Sequence, residues 1–211
     1  MKLGIALSGS DADSYFSAGA LAALEKNHIK YDMIAASSAQ ALVASYIVDG
    51  IDCLSAAELV AKQIGKDKTE DEEIDLSHKP FLVIPSVNSK TGKKAILSAC
   101  FQESNNEIEF VQADRLSGNI VQLNEKNESA QYKAPSDYPC LCFLPLKKYG
   151  CDKVLVIARS VCPCKGHPYK FFDYCISSDK EITLNLYTEF YAGYLAVFDF
   201  LAEIYSALLF D

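Results

Sequence analysis

This chain of 211 residues has no long apolar run, which argues against a membrane-spanning protein. Its most apolar segment, 190–198, is interrupted by Gly193 and flanked by acidic residues, and it is far shorter than the ~20 residues that a helix needs to cross a bilayer. The start of the chain is apolar only as far as Leu7, so the pattern of a secretory signal is also missing. We therefore predict a cytoplasmic protein with no transmembrane segment.

Histidines and clustered basic residues are scarce too. His28 precedes a predicted strand and His78 closes an acidic segment, which leaves only His167, so a serine–histidine triad is not expected. The chain carries 20 Lys and Arg against 28 Asp and Glu, a net charge of −8. Nucleic acids and anionic membranes bind clustered positive charge, so we expect neither as a partner.

The chain has eight cysteines, which we expect to be free thiols because the cytosol keeps thiols reduced. Cys140 with Cys142 and Cys162 with Cys164, together with His167, are residue types that zinc prefers. The Cys-x₂-Cys spacing of a zinc knuckle is missing, however, and this favours free thiols over a metal site. We predict no metal and no cofactor.

The order of the apolar segments predicts an α/β fold in one domain, 1–211. Lys2 to Leu7 predicts a strand, and Tyr15 to Lys26 has apolar residues at helical spacing. A second strand over 31–35 and a second helix over 41–48 follow directly. This alternation is typical of a parallel sheet with right-handed crossovers.

Later segments add a helix, a charged loop and more strands. A third helix is predicted over 53–64, and the density of charge over 66–75 predicts a solvated loop. Short apolar segments bounded by turn residues predict strands over 81–87, 95–101, 108–112 and 153–158.

The loop after the first strand carries the first indication of function. It reads Leu-Ser-Gly-Ser-Asp-Ala-Asp-Ser over 7–14. It resembles the opening of patatin-like phospholipases, where a glycine-rich loop with a central arginine supplies backbone N–H groups to an oxyanion hole. The resemblance implies this role for Gly9, Ser10 and Asp11, and Asp13 stands at the position of the arginine. Without the resemblance, the loop is a polar turn whose side chains cap the next helix.

The second motif is a strand, a turn and a helix over 31–43. Its residues 36–40, Ala-Ser-Ser-Ala-Gln, are similar to the Gly-x-Ser-x-Gly nucleophile elbow of the family. The resemblance implies that Ser38 is the nucleophile and that the amide of Ala39 is a further oxyanion donor. An alanine and Gln40 replace the two glycines. Without the resemblance, two serines before a helix are typical of an N-cap.

Two later segments extend the resemblance. Residues 80–94 are similar to the strand, Thr-Gly turn and strand of the family. The family places an Asp-Gly-Gly about eight residues before an apolar-Pro pair, and counting back from Leu144 and Pro145 puts Asp137 on that aspartate. Tyrosine and proline follow Asp137 in place of the glycines. The resemblance implies that Asp137 is the base.

The resemblance implies a patatin-like three-layer α/β/α sandwich with a mostly parallel central sheet, and hydrolysis of acyl esters of lipids. Ser38 would attack the carbonyl carbon, and Asp137 would accept its proton, so no cofactor is needed. The alternative is a catalytically lapsed relative that binds acyl groups or a partner. The changed glycine and arginine positions in three motifs favour that alternative.

The longest helical pattern, 184–209, has its aromatic residues on or near one stripe. Burial of this stripe in the core is favoured over lipid contact. Self-association into a homo-oligomer through this C-terminal helix also fits the pattern, and the sequence does not separate burial from self-association.

Overall fold

The protein has an α/β fold with five helices among the described residues. The computed structural model describes residues 1–9, 12–37, 39–63, 74–75, 80–98, 108–112, 115–116, 121–122, 132–133, 143–159, 174–178 and 182–209. The helices are α1 (Asp13–Lys26), α2 (Ala39–Val48), α3 (Cys53–Gln63), α4 (Phe143–Lys148) and α5 (Leu186–Leu209). The predicted helices over 15–26, 41–48, 53–64 and 184–209 are confirmed within two residues at each end.

The strands are short, as the apolar segments predict. They are β1 (Leu3–Ser8), β2 (Met33–Ala35), β3 (Ile74–Asp75), β4 (Phe81–Asn88), β5 (Lys94–Ser98), β6 (Ile108–Gln112), β7 (Arg115–Leu116), β8 (Val121–Gln122), β9 (Tyr132–Lys133), β10 (Lys153–Ala158) and β11 (Tyr174–Ile176). The predicted strand over 95–101 is seen as β5, and its last three residues lie outside the described ones.

The central sheet is mostly parallel, as predicted. Its strand order is β11-β10-β1-β2-β4-β5-β6, and the first five of these strands run parallel to one another. β5 returns antiparallel to β4 through a turn at Gly92, where φ is 68°, and β6 pairs parallel with β5. The first half of the chain therefore places β1, β2 and β4 beside each other with their carboxyl ends at one edge.

The two faces of the sheet carry different helices. Alternate residues of a strand point to opposite faces, and the odd-numbered residues Leu3, Ile5 and Leu7 of β1 share one apolar cluster with residues of α1, α2, α3 and α5. Ala6 belongs to a second cluster on the other face, where Leu146 of α4 packs. The described helices other than α4 thus cover one face, and the short α4 lies on the opposite face.

Two glycines set the closest approach between helices. A Cβ at Gly19 of α1 would overlap the Phe190 carbonyl group, 2.7 Å from its carbon. A Cβ at Gly193 of α5 would likewise lie 2.8 Å from the carbonyl carbon of Phe16. The backbones of α1 and α5 therefore touch, and only glycine fits at these two positions.

Two predictions need correction. The charged loop predicted over 66–75 is wrong at its end, because Ile74–Asp75 forms β3 and pairs antiparallel with β7. The strand forms because these two residues pair with a distant segment, and the density of charge along the chain gives no information on such pairing.

Among the described helices, none is both long enough and apolar enough to cross a membrane.

The burial in the core that was favoured for the aromatic stripe of the last helix is only partly correct. Phe190, Val197 and Ile204 are buried against the core, whereas Tyr191 and Phe198 are exposed. Apolar residues cover more of the circumference of α5 than one packed face can bury. The helix therefore has an inner face in the core and a second, exposed apolar face.

Candidate functional site

Two strand-turn-helix units lie side by side at the carboxyl edge of the sheet. β1 ends at Ser8 and α1 begins at Asp13, while β2 ends at Ala35 and α2 begins at Ala39. The two strands are parallel neighbours, with Ala6 opposite Ala35. Ligands of parallel α/β sheets bind at this edge, where the N-termini of the following helices offer free backbone N–H groups. The two sequence motifs with the strongest resemblance thus belong to adjacent units.

Gly9 lies at this edge in a backbone conformation that favours glycine. Its φ is 136°, and a Cβ on Gly9 would lie 2.7 Å from Cγ of Asp13. The buried Asp13 side chain therefore packs directly against the Gly9 backbone. An ionised carboxylate at this place would oppose negative charge developing on a substrate oxygen near Gly9.

The start of α1 differs from an ordinary capped turn. Its N-cap residue is Ala12, which makes no side-chain hydrogen bond to the helix. Capping of α1 by an Asp or Ser side chain is thus not found at the N-cap position. Asp13 lies in the first turn instead, where a negative charge is favoured by the helix dipole.

Several polar side chains are buried in the two units. These residues, none of them exposed, are Ser8, Asp13, Ser14, Ser17, Ser37 and Gln40. Gln40, at the second position of α2, is only 1% exposed, and neither its amide nitrogen nor its amide oxygen has a hydrogen-bond partner among the described residues. Buried polar groups are normally hydrogen-bonded. Gln40 stands at a glycine position of the motif, two residues after the predicted nucleophile Ser38. It thus puts an amide without hydrogen-bond partners into the interior.

The structure places two of the predicted site residues. Gly9 and Ala39 follow neighbouring parallel strands at the same edge, and the N–H of Ala39, at the first position of α2, has no acceptor within its own helix. Three residues separate the end of β2 from the start of α2, which agrees with a tight strand-to-helix turn. Ser10, Asp11, Ser38 and Asp137 lie outside the described residues, so their roles stay predictions.

A buried ion pair, which the sequence patterns do not indicate, lies at the same edge of the sheet. Arg159 directly follows β10, the other neighbour of β1, and Glu189 lies in the first turn of α5. The two side chains are each 1% exposed, and Nε and Nη2 of Arg159 both donate to the carboxylate of Glu189. The guanidinium lies 5.4 Å above the centre of the Phe16 ring. The pair therefore joins the sheet, α1 and α5.

The remaining bonds of the pair satisfy its other polar atoms. Nη1 of Arg159 donates to the Ser178 carbonyl at 3.0 Å, and the Thr183 backbone N–H donates to Glu189 at 2.7 Å. Burial alone would raise the pKa of Glu189, but the hydrogen bonds from Arg159 and Thr183, with the charge of Arg159, hold that pKa below its ordinary value. Both partners are thus engaged in a structural contact, which leaves neither for acid–base chemistry.

Two of the described thiols, those of Cys53 and Cys151, are not activated. Cys53 is buried, and burial together with the adjacent Glu25 carboxylate raises its pKa far above the ordinary range. Burial likewise raises the pKa of Cys151 to about 11. A thiol reacts as its thiolate, so neither cysteine is a nucleophile at neutral pH.

No group of His, Cys, Asp and Glu within the described part of the chain could hold a metal ion. Cys140, Cys142, Cys162 and Cys164, the residues weighed as zinc ligands, lie outside that part, as does His167. The expectation of free thiols at these four positions stays a prediction.

No family model matches the chain, and no curated protein matches it either. The similarity to patatin-like phospholipases is therefore a resemblance carried by residues 3–50, 80–94 and 136–158.

Proposed function

We propose that this protein is a patatin-like lipid acyl hydrolase of low activity that uses a dyad of Ser38 and Asp137. One observation carries the proposal: β1 and β2 are parallel neighbours that end at one edge, and each is followed at once by a helix. This is the arrangement that the first loop and the nucleophile elbow of the family require. It brings the backbone amides of Gly9 and Ala39 to the same edge of the sheet.

The proposed reaction is a two-step acyl transfer. The Ser38 hydroxyl attacks the ester carbonyl while Asp137 takes its proton, and the alcohol leaves with that proton. Water then attacks the acyl-serine and releases the fatty acid. The amides of Gly9, Ser10, Asp11 and Ala39 hold the negative oxygen in both steps. The proposal includes a three-layer α/β/α sandwich, with α4 on one face of the sheet and the other described helices on the opposite face. It also includes a cytoplasmic location.

Low activity is supported by the contact between Asp13 and Gly9. Loss of one oxyanion-hole donor typically costs about 10²–10³ in rate. Here a buried carboxyl group packs on the Gly9 backbone, at the position where the family has an arginine. Negative charge at this place destabilises the oxyanion and lowers turnover.

The second candidate is a lapsed relative that binds an acyl group or a partner without turnover. The buried, unsatisfied amide of Gln40 favours it, because a glutamine fills a position that the motif keeps small. The two candidates differ in whether Ser38 reacts with an acyl ester.

A screen of para-nitrophenyl esters of increasing chain length tests the proposal. We expect slow turnover that Ser38→Ala abolishes, that Asp137→Asn lowers severely, and that Asp13→Asn raises by about tenfold, because one adverse charge is removed. Asparagine is chosen at position 13 because Asp13 is buried and asparagine has nearly the same size and shape without the charge. Ser37→Ala is the matched control and should leave turnover unchanged.

A fluorophosphonate probe gives a second readout, because it marks activated serines. Peptide mass spectrometry should find the label on Ser38. Turnover that survives Ser38→Ala would contradict the dyad. Absence of both turnover and label in every variant would favour the lapsed candidate.

A further inference from the structure

The outer face of α5 is an exposed apolar surface with regular spacing. Tyr187, Tyr191, Leu195, Phe198 and Tyr205 are 53%, 59%, 56%, 46% and 38% exposed. Their separations of four, four, three and seven residues put them on one side of a helix. Leu184, two residues before the start of the helix, is 88% exposed. We call these six residues the outer α5 face.

The area of the outer α5 face is large for a surface left in water. A fully exposed large side chain presents about 200 Å², so the six residues expose roughly 650 Å² of mostly apolar area. Exposed apolar patches beyond a few hundred Å² mark interaction sites. A standard protein–protein interface buries about 800 Å² on each partner, and the outer α5 face supplies most of that area.

We propose that the outer α5 face is the interface of a two-fold symmetric homodimer in which the α5 helices of two copies pack antiparallel, with Leu195 at the axis. In this register position 191 of one copy lies opposite position 199 of the other. Tyr191 then packs beside Phe198 of the second copy.

Charge selects this register over the parallel one. Between residues 186 and 209 the chain has three acidic residues and no basic one. Parallel packing would bring the exposed Asp199 and Glu203 next to their own copies, and like charges in an interface are costly. In the antiparallel register Asp199 and Glu203 lie at the heights of positions 191 and 187 of the second copy, about 12 Å and about 24 Å along the helix from their own copies.

A groove beside the face accommodates the partner. It has a volume of about 550 Å³. Its lining residues are Ser177, Ser178, Ala192, Leu195, Ala196, Phe198 and Asp199. The antiparallel register puts Tyr191 of the second copy at the height of Asp199, which lines this groove. The two-fold axis would repeat any contact made there, as a symmetric dimer requires.

A membrane is the less suitable occupant of the face. Amphipathic helices that bind membranes carry Lys and Arg on their polar side. The acidic α5 would be repelled by anionic lipids.

Sedimentation velocity of the full chain over the micromolar range tests the proposal. We expect a dimer, and Leu195→Asp should raise its Kd by about 100-fold or more, because the two-fold axis places two carboxylates together in an apolar interface. Leu195 is exposed in the single chain, so this substitution should leave the far-UV circular dichroism and the melting temperature of the monomer unchanged. Lys90→Asp, in the turn between β4 and β5, is the control for added negative charge and should remain dimeric.

Cross-linking locates the contact. A benzophenone amino acid at position 191, in a mixture of heavy- and light-isotope chains, should form heavy–light links to residues 195–203. A parent chain that sediments as a monomer would overturn the proposal, as would a dimer that Leu195→Asp leaves intact or links from position 191 to another segment. Binding of a monomeric parent to phosphatidylcholine vesicles, abolished by Leu195→Asp, would assign the face to lipid and would also overturn it.

Discussion

Gln40 shows how a single residue can oppose the stability of the fold around it. Its amide is buried and has no partner among the described residues, whereas the amide of Gln63 donates to the Tyr46 hydroxyl at 2.9 Å. Methionine has nearly the same length and shape as glutamine without the polar amide. Gln40→Met should therefore raise the free energy of unfolding by about 1–2 kcal/mol, since a buried amide without a partner costs about that much.

Urea unfolding followed by circular dichroism measures this change. Gln63→Met is the matched control, and it should lower stability or leave it unchanged because it removes an existing hydrogen bond. A loss of stability in Gln40→Met would show that the amide has partners. If Gln40→Met instead stabilises the fold but lowers esterase activity, the amide serves the site at the expense of stability.

At the scale of elements, the crossing of α1 and α5 depends on Gly19 and Gly193. Alanine in place of an exposed helical glycine normally stabilises a helix by about 1 kcal/mol. At position 193 the added Cβ would overlap the Phe16 carbonyl group, so the helices must separate. Gly193→Ala should therefore lower the free energy of unfolding by about 2 kcal/mol or more, in spite of the better helix propensity.

Ala202→Gly in the same helix is the reference for propensity alone. Ala202 is exposed, and its change to glycine should cost about 1 kcal/mol. Thermal unfolding of both variants ranks the two effects. A Gly193→Ala variant as stable as the parent would mean that the helices lie further apart than described.

At the scale of the whole molecule, the Arg159–Glu189 pair couples stability to pH. The pKa of Glu189 is lowered in the folded state, so its contribution is present above the unfolded value of about 4.3 and is lost as the pH falls through the folded value. The free energy of unfolding should therefore decrease as the pH falls from about 4.3 through the lower pKa of Glu189 in the folded protein. Glu189→Gln should remove this part of the pH dependence.

The same pair provides a test by double substitution. Glu189→Gln leaves the buried Arg159 without a counter-charge and should cost about 3–5 kcal/mol at neutral pH. The double variant Arg159→Met with Glu189→Leu should lie much closer to the parent, because no buried charge remains. Urea unfolding of the parent and both variants at neutral and acidic pH gives all the required values. Equal stability of Glu189→Gln and the parent would contradict a structural role for the pair.

Much of the fold was predictable from the sequence because its signals are local. Apolar spacing along 15–26, 41–48 and 53–64 reports helices, and short apolar runs bounded by turn residues report strands. The parallel direction of β1 and β2 was also predictable, because a strand-helix-strand unit forms a parallel sheet. The predicted site depended further on resemblance, and of its residues only Gly9 and Ala39 are placed by the structure.

Other features arise only when distant segments meet. The Asp13 carboxyl group lies against Gly9 because of the turn geometry, and nothing in the spacing of the two residues distinguishes that contact from a helix cap. Arg159 and Glu189 are 30 residues apart, and each in isolation reads as a surface charge. A signal was present for the crossing of α1 and α5, namely a glycine inside each helical pattern.

The sequence by itself determined the type and order of the longer elements, α1, α2, α3, α5 and the main strands of the sheet, because helix and strand periodicity are properties of neighbouring residues. The tertiary structure alone decided which polar groups are buried and which apolar face of α5 remains in water. Burial depends on which surfaces the packed elements bring together, so Gln40 became an interior amide and Tyr191 an exposed ring. Neither outcome can be read from the immediate neighbours of these residues in the chain.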